Sequence, residues 1–424
     1  MPFSKHNMYR FPWSSNDNPI GWLEVTDKCN IYCRGCYRMN GKAGHKTLAQ
    51  IKEEIDILHD MRNCDNISIA GGEPLLHPEI VEIVAYIKSL KMKPLILTNG
   101  VLLVDNRPLM LELKKAGAVG FTFHVDSEQN RPHFKGKTEK ELCDLRLEYA
   151  KMVASVGGMT AIFGMTVYPT NVDQVPEVVR WANEHIDIVH GLVFITFRGA
   201  PMDGSYNYFV NGQQISNTDL TYTTEDNSET YITSEAVYDK IKEVHPHYEP
   251  AAYLGGTQTH SRATWVSAVQ IGSKKRMYGS LGPKLMELIQ ASHHLWTGTY
   301  LIYQHSNRLS KLSFAGALID KGMRAIHGQY WRDILSDPLM AFRPVYWQSI
   351  GIVQGPDMLA DGRMDMCESC PDMTVWEGKL VHSCRMDEWR LYGGYVDAHP
   401  NPEFVKEPAG VIALDSIPVN ARHN

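Results

Sequence analysis

Six short apolar runs, separated by segments of helical period, fill the first two hundred residues and limit the possible folds more than any other feature. The runs are "GWLEVT", "NISIAGGEP", "PLILTNG", "VGFTFHVDS", "TAIFGMTVYP" and "HGLVFITFRG". Between them, "LAQIKEEIDILHDM" sets Leu48, Ile51, Ile55 and Leu58 on one helical face, and "PEIVEIVAYIKSLK" repeats Ile80, Ile83, Val84, Ile87 and Leu90 after Pro78. A helical segment runs through Leu113. Thr138 and Glu141 form a capping box for "EKELCDLRLEYAKMVASV", and "VPEVVRWANEH" reads as a further helix. Several of the runs are apolar enough to be covered on both faces. The pattern predicts a parallel α/β sheet, open or curled into a barrel.

The rhythm stops near Ala200. "YNYFVNGQQISNTDLTYTTEDNSETYITSEAV" is polar and predicts loops, whereas "KLMELIQASHHLWTGTYLIYQHSNRLSKLSFAGALIDKGMRAIHGQYWRDIL" reads as mainly helical and is rich in His, Trp and Tyr. The expected divisions are an N-terminal extension (1–20), the alternating core (21–200), a mainly helical substrate-enclosing region (201–360), a small cysteine-bearing domain (361–400) and a tail (401–424).

Three of the eight cysteines, Cys29, Cys33 and Cys36, fall in "DKCNIYCRGCYRMN", directly after the first strand. Such spacing points to metal or catalysis rather than disulfides. A structural zinc site would want a fourth ligand nearby, and His45 lies beyond "MNGKAG". A [4Fe–4S] cluster on three cysteines leaves one iron free to bind something else. "CNIYCRGC" resembles the cluster motif of the radical SAM superfamily, whose free iron chelates S-adenosylmethionine. One electron then yields methionine and a 5'-deoxyadenosyl radical that abstracts hydrogen from a substrate.

The resemblance covers roughly residues 20–200 and implies a partial (βα)6 barrel with ligand residues at the carboxyl ends of the strands. It assigns Gly71, Gly72, Glu73 and Pro74 of "GGEPLL" to the methionine end of the cofactor. It places Asn99 of "TNG" in the same pocket, and gives Asp126 and Ser127 of "HVDS" ribose hydroxyls or polar substrate groups. Arg198 is a candidate for the cofactor carboxylate or the substrate, and Arg131 a lesser one. The family usually places an aromatic between the second and third cysteines. Gly35 stands there, so Tyr37 or Tyr32 is expected to face the adenine. The resemblance also implies an electron donor of the flavodoxin or ferredoxin type.

Cys367, Cys370 and Cys384 form a second group, with "TVWEGKLVHSC" predicting two short strands that turn at Glu377–Gly378. Zinc and iron–sulphur both suit such a loop. The segment resembles the abbreviated auxiliary-cluster domain called twitch, a relative of SPASM, which implies a second [4Fe–4S] cluster. Its open corner would bind substrate or be closed by Asp372, His382 or Asp387. Cys64 and Cys143 read as ordinary packed thiols.

A primary alkyl radical needs an enclosed pocket, and the aromatic residues of the 201–360 region suit a small, lipid-like or tetrapyrrole-like substrate. Tyr300 and Tyr303 are candidates for hydrogen transfer, and Arg308 and Arg324 for an acidic group. Peptide maturation is the alternative, and a non-catalytic iron–sulphur electron-transfer protein a more distant one. The 42 basic and 48 acidic residues form no long run of one sign, so no nucleic-acid partner is expected. No stretch reaches the roughly 20 apolar residues of a membrane span, and the N-terminus lacks the pattern of a signal peptide. A cytoplasmic protein is the expectation.

Overall fold

The computed structural model describes residues 3–39, 44–197, 200–201, 204–216, 223–224, 232–260, 262–302 and 311–404. All six expected strands form: β1 (Ile20–Glu24), β2 (Asn66–Ala70), β3 (Lys93–Thr98), β4 (Gly120–His124), β5 (Thr160–Val167) and β6 (Gly191–Thr196). They pair in parallel and in chain order. The connecting helices are α1 (Leu48–Arg62), α2 (Ile80–Ser89), α3 (Arg107–Ala116), α4 (Glu139–Val156) and α5 (Val175–Glu184).

Local chemistry sets their ends. Thr47 and Gln50 form a capping box at α1, and Thr138 and Glu141 form the expected one at α4. Gly117 closes α3 at φ 115°, in the left-handed region. Ile51, Ile55 and Leu58 of α1, with Ile83, Val84 and Ile87 of α2, join Ile67, Ile69 and Ile96 of the sheet in the main core. β5 is buried along its whole length, as a strand covered on both faces must be.

The 201–360 region carries helices α6 (Ser234–Val244), α7 (Pro283–Thr297) and α8 (Lys321–Ser336), but it also supplies strands β7 (Ala252–Gly255), β8 (Ala263–Ser273), β9 (Arg276–Ser280) and β10 (Tyr346–Gln354). β10 lies parallel to β6, β8 runs antiparallel to β10, and β7 and β9 pair with β8. With the short strand Tyr9–Arg10 on β7, the sheet reaches eleven strands. The burial of "YWQSIGIVQ" alternates strictly along β10. Polarity does not follow that period, since Gln348 and Gln354 are buried while Trp347 and Val353 are half-buried, so the expected helices are present but these strands were not legible beside them.

Near the C-terminus, β11 (Met373–Trp376) and β12 (Lys379–His382) form the expected hairpin, and α9 (Met386–Tyr392) follows. Glu377 and Gly378 take φ of 47° and 77°, the two positive values that a mirror-image hairpin turn needs. Among the described residues no helix is long and apolar enough to cross a membrane.

Candidate functional site

The carboxyl ends of the parallel strands, the cysteine-bearing loop after β1 and the C-terminal segment enclose one cavity of about 290 Å³. Cys29, Cys33 and Cys36 line it from one side and Cys367, Cys370 and Cys384 from the other. The two groups come together although most of the chain separates them in sequence.

Several contacts hold the first loop. Cys33 bridges Gln129, Arg34 N donates to Glu128 O at 3.1 Å, and Asn130 N donates to Tyr32 O at 2.7 Å. The Tyr168 hydroxyl donates to Arg34 O. Gly71 and Gly72 let the next loop close on the strand exit: Gly72 N donates to Thr26 O and Glu73 N to Lys28 O, both at 2.8 Å. A Cβ on Gly72 would lie 2.2 Å from Lys28 O, so only glycine allows this approach.

Gly71, Gly72 and Asn99 line the cavity beside the first cysteines. The Asn99 amide reaches Asn30 Oδ1 at 2.6 Å and the Cys29 sulphur at 3.9 Å. Glu73 is turned inward. Thr98 Oγ1, Asn99 N and Leu75 N donate to its carboxylate at 2.8, 2.7 and 3.1 Å, and burial pushes the carboxyl up to about 7 against those donors. Pro74 is buried in the turn that Glu73 caps. Asp126 faces His124 Nε2 at 2.9 Å and accepts from Glu128 N, while Ser127 N donates to Glu139 Oε1 at 2.7 Å. Glu73, Pro74, Asp126 and Ser127 therefore shape the strand ends and do not line the cavity.

The remaining candidates divide. Tyr37 lines the cavity and donates to Glu24 Oε1 at 3.2 Å, whereas Tyr32 is 67% exposed. Arg131 is buried and donates to Asn99 O at 2.7 Å. Tyr300 stacks on His294 outside the cavity, with ring centroids 4.2 Å apart. Trp296 is 91% exposed, so it faces away from any enclosed site. Arg324 is also exposed. Arg198, Tyr303 and Arg308 lie outside the described residues. Cys64 and Cys143 are buried in the main core, as expected of packed thiols.

Phe197, just past β6, was missed by sequence reasoning. It lines the cavity and packs where a side chain on Gly35 would go: a Cβ there would lie 2.6 Å from its ring. The glycine at position 35, where an aromatic was expected, was the signal to look for one on another element.

Of the three residues considered for closing the second corner, Asp372 lines the cavity with the C-terminal cysteines. Asp387 is held by Arg38 at 3.1 Å and by Met39 N at 2.6 Å. His382 lies outside the cavity, its ring 6.0 Å from that of Tyr395. Burial pushes the thiols up, Cys36 to about 11 and Cys367 to about 12, with Cys29, Cys33, Cys370 and Cys384 also above the ordinary range. Burial does the same to the packed Cys64, so the shift reports enclosure, and the place of the six thiols on the cavity wall is what marks them. Among the described residues no three His, Cys, Asp or Glu side chains converge as on a single ion. A cluster of several atoms needs a wider space, and the six thiols line one.

Residues 23–182 match the Radical SAM superfamily. The chain is 25% identical over 185 residues to the 7,8-dihydro-6-hydroxymethylpterin dimethyltransferase of Methanocaldococcus jannaschii, covering 42% of this chain and 36% of that protein. It is 29% identical over 131 residues to the antilisterial bacteriocin subtilosin biosynthesis protein AlbA of Bacillus subtilis, 29% of each chain. Among solved structures, SuiB of Streptococcus suis bound to S-adenosylmethionine overlaps 54% of this chain and 49% of its own at 13% identity and a TM-score of 0.37. The chain spans about a third of the length of the first of its curated relatives. Strands β2 to β5, the cysteine loop and the glycine turn lie within the matched segment, and over residues 23–182 the chain carries a radical SAM domain.

Proposed function

We propose that the chain cleaves S-adenosylmethionine reductively and abstracts hydrogen from a substrate carbon, using one [4Fe–4S] cluster on Cys29, Cys33 and Cys36 and another on Cys367, Cys370 and Cys384. The observation that carries this reading is that both cysteine groups line a single cavity. When bound and reduced, the first cluster supplies the electron that splits the cofactor into methionine and a 5'-deoxyadenosyl radical. The chain's own residues do the positioning. Gly71, Gly72 and Asn99 bound the methionine end, Phe197 and Tyr37 offer aromatic surface for the adenine, and Glu73 and Asp126 hold the loops from behind. Trp22, Val193 and Ile195 wall the cavity and keep water from the reacting carbon. Asp372 is the side chain available to close the second cluster. A flavodoxin or ferredoxin-type donor and a cytoplasmic setting belong to the same reading.

Two substrate classes have support. A peptide is favoured by the similarity to AlbA, whose name places it in bacteriocin biosynthesis. A small molecule with an apolar part is favoured by the apolar strand residues that wall the cavity, and by the similarity to a protein named for a pterin.

Anaerobic reconstitution tests the core of the proposal. Two [4Fe–4S] centres give about eight irons per chain, and reduction with dithionite in the presence of S-adenosylmethionine gives 5'-deoxyadenosine. Cys33→Ala abolishes that product, while Cys384→Ala retains uncoupled cleavage and loses substrate conversion. A reduced protein that leaves the cofactor intact would instead be an electron-transfer protein.

A further inference from the structure

Toward the amino ends of β5, β6 and β10 lies another cavity, of about 170 Å³, covered by Met286 and Ile289 of α7 and by Phe11. Val193, Trp265 and Val353 line both this cavity and the cysteine-lined one, so the two chambers meet at that level. Gly164, Val193 and Gly351 stand in cross-strand register there. A Cβ on either glycine would approach no atom closer than 3.8 Å, so the missing side chains leave room without being demanded by backbone packing.

The polar groups around the lower chamber are largely spent on the protein. Gln290 donates to Leu301 O at 2.9 Å and accepts from Leu301 N at 3.3 Å. Thr160 Oγ1 donates to Val119 O at 3.1 Å, Ser349 Oγ to His190 O at 3.4 Å, and His190 Nδ1 accepts from Ala161 N at 2.9 Å. Trp347 Nε1 has no acceptor among the described residues. What faces the space is otherwise mostly hydrocarbon: Ile162, Leu192, Val269, Leu281 and Ile302.

We infer that the lower chamber is a subsite for an apolar hydrocarbon group of the substrate, which reaches it from the cysteine-lined chamber through the Gly164–Val193–Gly351 level. This rests on the reading of the upper chamber as the radical site. A dry cavity of about 150 Å³ accepts a benzene-sized guest, so the subsite suits a phenyl or branched aliphatic group, or the end of an acyl chain. A peptide side chain and a lipid-like chain share that chemistry.

Toluene is the probe, added to the anaerobically reconstituted full chain and followed by saturation-transfer NMR. Saturable binding is expected, weakened at least about tenfold by Gly351→Leu, since the new side chain takes up the space the guest needs. Val193→Phe narrows the same level from the neighbouring strand and is expected to do likewise, with thermal melting as the check that each variant folds. Toluene that does not saturate, or that binds equally to both folded variants, overturns the subsite. Displacement by N-acetylphenylalaninamide assigns it to a peptide side chain, displacement by 1-decanol to a lipid-like chain, and displacement by neither overturns its role in substrate binding. Deoxyadenosine formation by the wild-type chain is measured separately. Toluene binding without it would sink the radical reading and keep the cavity, and the converse would sink only the subsite.

Discussion

A Cβ on Gly35 would press 2.6 Å from the Phe197 ring, and the backbone there has φ of +62°. Both facts tie residue 35 to glycine and set Phe197 against the loop that carries Cys33 and Cys36. Aromatic stacking is worth about 0.5–1.5 kcal/mol beyond burial, so Phe197→Ala should weaken S-adenosylmethionine binding by about tenfold in anaerobic calorimetry. Tyr32→Ala should leave it unchanged, since Tyr32 projects into solvent; the opposite pattern would return the adenine contact to the cysteine loop. His190 gives a second prediction. Burial lowers its ring to about 4, and its Nδ1 accepts from Ala161 N, so the native state holds it neutral. A histidine depressed in the fold contributes fully above its unfolded value of about 6.5, and that contribution fades as pH falls toward 4. Between pH 7 and 4.5 this amounts to about 2–3 kcal/mol. His190→Gln should therefore flatten that part of the acid limb in urea titrations, and an unchanged slope would show that the ring protonates freely.

Among the elements, what local chemistry dictates could be read in advance. The six strands, the α4 capping box and the Glu377–Gly378 turn each depend on residues within a few positions of one another. β7, β8, β9 and β10 could not be read so easily. Their alternation runs through glycine, serine and glutamine, and the pairing of β10 with β6 depends on neighbours far away in sequence. The glycine turn after β2 was expected beside the cofactor, but its close approach to the Thr26–Lys28 backbone was not legible. That contact makes the turn and the cysteine loop a single unit. Gly72→Ala drives a methyl group to 2.2 Å from Lys28 O, a main-chain atom that cannot swing aside. With the two clusters proposed above, the expected result is loss of the N-terminal one's electron paramagnetic resonance signal with the C-terminal one retained. Equal loss of both would mean that the variant fails globally.

Over the whole molecule, the two cysteine groups are joined by buried arginines that no local pattern announces. Arg62, at the end of α1, is fully buried and donates to Ile20 O in β1 and to Cys370 O and Pro371 O in the C-terminal segment, at 3.0, 3.0 and 3.1 Å. Arg38, two residues past Cys36, meets Glu24 at 3.2 Å, Asp27 at 2.8 Å and Asp387 at 3.1 Å. Asp387 was one of three residues considered for closing the second cluster's corner. Its carboxylate is instead occupied by Arg38, and it also accepts from Met39 N and Arg390. Removing one member of a buried ion pair leaves its partner's charge uncompensated, at a cost of about 3–5 kcal/mol. Glu24 and Asp27 still face Arg38 in Asp387→Ala, so the lower end of that range applies. Asp387→Asn keeps an acceptor for Met39 N and should cost less. Thermal denaturation of the three proteins should rank wild type, Asn and Ala in falling order. With both clusters bound as proposed, iron content should stay near eight per chain in Asp387→Asn, because the Arg38 and Met39 contacts give this side chain the role of a clamp between the two loops. Loss of about four irons from Asp387→Asn with its melting temperature intact would reverse the assignment and make Asp387 the fourth ligand.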